Sequence, residues 1–216
     1  MEYISLEERI WTECKDKAKE YLIKKGTRGL LGIFNALSDN TAKDLVNFLT
    51  TGEKSLSMDL LLCIIPLVLK NGKSFNTEKS IISIKNIYPY ISNTEIYNCL
   101  ILFSYIFDLF YGTSIEDTID NINSLNEECE KRLEISDIIN LDKNTISSLD
   151  SNFTSLMALS DFIKSENYQG SSYSYTNETS KAISFFIKGI AGEIFNENNE
   201  IEEKYGDVIQ EFLLSI

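Results

Sequence analysis

Apolar residues recur at three- and four-residue spacing through most of this chain, a pattern that predicts helices joined by short polar turns. Ser5-Leu6-Glu7-Glu8 has the form of a capping box. A first helix is expected from there to about Lys24, ended by Gly26, with Ile10, Trp11, Cys14, Ala18, Tyr21 and Leu22 on its buried face. Shorter helices are expected over 27–37 and 41–49, separated by the turn-forming Ser38-Asp39-Asn40. The segment 57–70, SMDLLLCIIPLVLK, is apolar nearly all round and reads as a buried helix that Pro66 kinks or divides. A helix over 76–87, capped by Asn76 or Thr77, is broken by Tyr88-Pro89, because the residue before proline avoids the helical region.

A second capping box, Ser92-Asn93-Thr94-Glu95, opens a helix to Tyr111 that is apolar on most sides and expected at the centre, ended by Gly112. An acidic amphipathic helix over 114–133, a polar connection over 141–150, a helix over 151–163 and a polar loop over 164–175 come next. The stretch 171–195, SSYSYTNETSKAISFFIKGIAGEIF, then turns that Ser/Tyr/Thr/Asn-rich loop into a helix over 179–195. A last helix over 200–216 sends Ile201, Tyr205, Val208, Ile209, Phe212 and Leu213 towards the core. With two prolines, ten glycines and no linker-like segment, 1–216 reads as a single all-α domain.

Charge changes the picture. Residues 1–90 carry 13 Lys and Arg against 11 Asp and Glu, whereas residues 91–216 carry 7 against 22, so the net charge of −13 belongs to the second part. Such a field repels nucleic-acid phosphates and anionic lipid and attracts a basic protein surface. Glu200, Glu202 and Glu203 are the candidate partner-binding residues; the plainer reading is a solvated acidic surface. The spacing of Glu116, Asp117, Asp120, Glu127, Glu128 and Glu130 forms no metal cage.

Cys14, Cys63, Cys99 and Cys129 are widely spaced and the chain has no histidine, which argues against zinc and against imidazole catalysis. Reduced, buried thiols are expected. The N-terminus has no signal-peptide pattern and no apolar run is long enough to span a bilayer, so a cytoplasmic protein is expected. Where the polar loop meets the helix, unpaired N–H groups and the helix dipole suit an anion.

Several segments, in order, resemble the ADP-ribosylglycohydrolase family, which includes the enzyme that reactivates dinitrogenase reductase. LLCIIPLVL over 61–69 looks like that family's SLMRIAPLAL helix, and Ser83 to Pro89 lies where the family has Ser-x-Thr-His-x-x-Pro. Thr179-Ser180-Lys181-Ala182-Ile183 followed by Gly189-Ile190-Ala191-Gly192 looks like its Asp-Thr-Asp-Thr motif and trailing small-residue helix. The resemblance implies an orthogonal multi-helix bundle. It also implies two magnesium ions held by aspartates, but here the two C-terminal aspartates are Thr179 and Lys181, the histidine is Asn86 and an arginine is Cys63. The N-terminal Thr-Asp-Asp-Thr-type motif has no counterpart, as if the chain began after it.

An ammonium opposes a divalent cation, so no metal, no cofactor and no catalytic residue is expected. The resemblance therefore implies a non-catalytic descendant acting by binding a partner protein, as an inhibitor, immunity or anti-defence protein. A second implication is metal-independent binding of ADP-ribose or a related nucleotide by Asn177, Thr179, Ser180, Lys181 and Asn86. A third is residual hydrolysis, for which Asp59 and Glu95 are available without forming a recognisable acid/base pair. The plainer reading of Gly189 and Gly192 is close helix packing.

Overall fold

The computed structural model describes residues 6–70, 77–92, 173–175, 177–192 and 199–216, with most positions between 96 and 111. The helices expected over 114–133 and 151–163 and the connection over 141–150 lie outside the described residues, as do Ser5, Asn76, Gly112 and 164–172. Among the described residues there are helices and no strands: α1 (Leu6–Ala36), α2 (Asp39–Thr51), α3 (Leu60–Lys70), α4 (Thr77–Ile87), α5 (Glu178–Ala191) and α6 (Asn199–Leu214). Described positions between Ile96 and Tyr111 are helical as well. The fold class is all-α, and no helix among the described residues is long and apolar enough to cross a membrane.

The first helix does not end at Gly26. It runs unbroken through Gly26 and Gly29 to Ala36, and the two expected helices are one. A glycine inside a helix costs about 1 kcal/mol relative to alanine, yet here it admits neighbours that a methyl would exclude. A Cβ at Gly26 would lie 2.8 Å from Leu213 Cδ2, and one at Gly29 would lie 2.7 Å from both Phe186 and Ile190. The buried face is displaced to match. Ala18 and Tyr21 are exposed, contrary to expectation, and burial runs instead through Lys25, Gly26, Gly29, Leu30, Ile33 and Phe34, the half of α1 that meets α5 and α6.

The other elements start and stop for local reasons. Helix α2 ends at Gly52, whose positive φ of 77° lets its N–H reach the Phe48 carbonyl at 2.8 Å. Asp59 accepts from Leu61 N–H at 2.9 Å and so delays the start of α3 to Leu60. From there α3 continues through Pro66 without dividing, most of its side chains buried. Helix α4 stops at Ile87, ahead of the expected Tyr88-Pro89 break. Helix α5 stops four residues earlier than expected, at Gly192, whose φ of 106° gives a left-handed cap.

Helix α1 packs most extensively on α5 and then on α6; α5 also meets α3, α6 meets α2, and α3 meets α2 and α4. Phe34 stacks on Tyr205 with ring centroids 4.2 Å apart, fixing α6 to α1. Leu100, Phe103 and Ile106 of the 96–111 segment are fully buried, the central position their all-round apolar pattern predicts. Ile209, Phe212 and Leu213 are buried and Ile201 and Val208 partly buried, as expected for the last helix.

Candidate functional site

The N-terminus of α2 meets the start of α5 and the first turns of α6 through Glu178 and Lys204, neighbours in sequence of the candidate residues. Ser38, its N-cap, makes no side-chain cap bond; instead its N–H donates to the Glu178 carboxylate, which also accepts from Thr41 Oγ1 at 3.0 Å. One residue on, Asp39 accepts from Lys204 Nζ at 2.9 Å. Residues 38 and 39 therefore tie the start of α5 and the first turns of α6 to one helix end. A carboxylate at that position also satisfies an orphan donor and complements the helix dipole.

The electrostatics follow from those bonds. Partial burial acts to raise the Glu178 carboxyl pKa, but the bonds from Ser38 and Thr41, with the charge of Lys181, outweigh it and hold it below the usual range. Asp39 is held low by the Lys204 hydrogen bond first and its charge second.

The loop and first turn of α5 are occupied in holding themselves together. Asn177 is the N-cap, and its Oδ1 accepts from Ser180 N–H at 2.8 Å. Lys181 Nζ lies 5.3 Å from the Phe185 ring one turn on, and Tyr175 packs edge-on to the same ring. Thr179 is half-buried, and Ser180 is fully buried with a hydroxyl that has no hydrogen-bond partner among the described residues. Ser184, one turn later on the same face, is in the same condition. Asn86 is exposed on α4, whose principal neighbour is α3, so it is not gathered with the α5 residues at the start of α2. An anionic nucleotide approaching the start of α5 meets Glu178 and Asp39, and it finds the Ser180 N–H already engaged.

The two glycines of α5 have separate roles. A Cβ at Gly189 would lie 2.6 Å from the Arg28 carbonyl oxygen and 3.0 Å from Gly29 Cα, so this glycine permits backbone contact between α5 and α1. Gly192 faces open space and is the cap, not a packing position.

Helix α6 presents a different arrangement. Glu200, Glu203, Asp207 and Glu211 follow a 3-4-4 spacing, which places them on one face, and all four are exposed. Tyr205, Ile209, Phe212 and Leu213 occupy the opposite, buried face. Lys204 borders the acidic stripe with its charge committed to Asp39. Glu202 is exposed but lies off the stripe, beside Gly206. Two of the four stripe residues, Glu200 and Glu203, are those the sequence alone points to. Asp207 and Glu211 were open to the same helical spacing, whereas Glu178 carried no signal because its partner is 140 residues away.

Among the described residues no group of three or more acidic, histidine or cysteine side chains could hold a metal ion. Cys63 and Cys99 are buried and form no disulfide among the described residues, and burial pushes Cys63 up to about 12. No family model, curated protein or solved structure matches this chain.

Proposed function

We propose that this chain is a non-catalytic, degenerate relative of the ADP-ribosylglycohydrolases that acts in the cytoplasm by binding a basic surface on a partner protein, in the manner of an inhibitor. The observation that carries the reading is the α6 stripe of Glu200, Glu203, Asp207 and Glu211, exposed in series while the opposite face of the helix is locked in the core. Four like charges along about three turns of a rigid helix repel one another, and an opposing row of Lys and Arg relieves that repulsion. Rigidity helps further, because little ordering is required when the partner arrives.

The test is affinity capture with the wild-type chain and with the variant E200Q/E203Q/D207N/E211Q in parallel, all four sites being exposed. The proposal expects a partner with a basic surface that the wild type retains and the variant releases. A partner retained equally by both contradicts it.

A further inference from the structure

Helix α1 carries an apolar row that its own chain leaves open. By helical register positions 10, 11, 14, 18 and 21, held by Ile, Trp, Cys, Ala and Tyr, share one side of α1. That side does not meet the core: Tyr21 is 59% exposed, and every residue from Lys15 to Tyr21 is exposed with it. The contacts of α1 with α5 and α6 run instead through Gly26, Gly29, Leu30 and Ile33. These positions lie about 100° further round the helix than the row. An open row of this kind suits a second amphipathic helix.

The order of charge along α1 selects that helix. Residues 6–14 carry Glu7, Glu8 and Glu13 against Arg9, whereas residues 15–25 carry five lysines against Asp16 and Glu20. Acid therefore precedes base. Glu7 falls on the row, while positions 13, 17 and 24 all fall on one flank of it, with Lys17 and Lys24 exposed there. When two such helices pair antiparallel, the same flank of each faces the other. Setting Glu7 against Lys24 of the second copy then places Glu13 beside Lys17 of that copy and Ile10 against Tyr21, all in one register. A parallel pair brings the acidic ends together and the basic ends together, which is repulsive at both.

We infer that the first half of α1 is a homodimer interface, closed by antiparallel pairing with the same segment of a second copy. The contact is isologous, so it stops at two chains. It extends over about 27 Å of helix, at 1.5 Å per residue from Glu7 to Lys24. An interface that small gives a weak, concentration-dependent dimer. The acidic stripe of α6 takes no part in it.

Sedimentation equilibrium of the full chain between about 5 and about 200 µM tests the inference. A monomer–dimer equilibrium is expected, with no larger species. K17E/K24E, at exposed sites, is expected to weaken the dimer at least about tenfold, and Tyr21→Ser by a similar factor. K43E/K85E makes the same change of charge at exposed sites on α2 and α4 and is expected to leave the dimer unchanged. E7K/E13K/K17E/K24E reverses the order of charge along the helix and is expected to restore the dimer, since the antiparallel match is kept. Circular dichroism checks that each variant is helical; should the fourfold variant lose helix, the comparison of K17E/K24E with K43E/K85E decides alone. A monomer at every concentration, equal weakening by K17E/K24E and K43E/K85E, or a helical fourfold variant that stays monomeric overturns the inference.

Discussion

Gly189 of α5 sits so close to Arg28 of α1 that a methyl group there would stand 2.6 Å from the Arg28 carbonyl oxygen. The obstacle is helix backbone, so it cannot swing aside as a side chain would. Gly189→Ala is therefore expected to destabilise the protein by about 2–3 kcal/mol, the cost of overpacking exceeding the gain in helix propensity. Gly206 of α6 is the control, since a Cβ there meets nothing nearer than Glu202 Cγ at 3.7 Å. Gly206→Ala is expected to stabilise by about 0.5–1 kcal/mol. Urea denaturation of the two variants reads both signs.

Glu178 links α5 to the start of α2, and its carboxyl is held below its ordinary value of 4.5. A carboxylate with a depressed folded pKa contributes stability that is fully present above the unfolded value and is lost as the pH falls through the folded one. Glu178→Gln is expected to cost about 1 kcal/mol at pH 7, the worth of a capping carboxylate at a partly exposed helix end. The difference from wild type should close as the pH falls below 4.5 and through the depressed folded value. Denaturation midpoints measured from pH 7 to pH 3 give the curve; a constant difference across that range contradicts the assignment.

The buried Ser184 hydroxyl has no hydrogen-bond partner among the described residues, and an unsatisfied buried hydroxyl costs about 1–3 kcal/mol. Ser184→Ala removes that group and puts the best helix former in its place. A gain of about 1 kcal/mol in unfolding free energy is expected. A loss of stability would show that the hydroxyl has a partner in solution.

Cys63 is fully buried, donates to the Asp59 carbonyl at 3.8 Å, and titrates near 12 because burial disfavours the thiolate. At pH 8 its thiolate fraction is on the order of one in ten thousand. Site-resolved alkylation followed by mass spectrometry is expected to leave Cys63 unlabelled in the native protein and label it in denaturant.

Helix positions were legible wherever burial alone dictates pattern. The aliphatic run of α3, the all-round apolar 96–111 segment and the inward set of α6 all fall where their periodicity places them. Glycine misled the reading at Gly26, which looked like a stop and is a contact, because the residue that requires it, Leu213, lies far along the chain. Gly192 erred in the other direction, since a C-cap and a packing glycine look alike in sequence. The loop before α5 was legible as a helix start. What Glu178 accepts from was not, because Ser38 and Thr41 are brought to it only by the fold. The acidic face of α6 was half read, through Glu200 and Glu203, and the missing half followed from helical spacing alone.

The binding account is tested most directly by measuring affinity for the captured partner at about 50 mM and about 500 mM salt, for wild type and for E200Q/E203Q/D207N/E211Q. Screening shortens the reach of exposed charge from about 14 Å to about 4 Å between those conditions. The account predicts that wild-type affinity falls more than tenfold with salt, and that the variant is weak at low salt and nearly insensitive to it. Equal affinity of the two proteins, unchanged between the two salt concentrations, would contradict it.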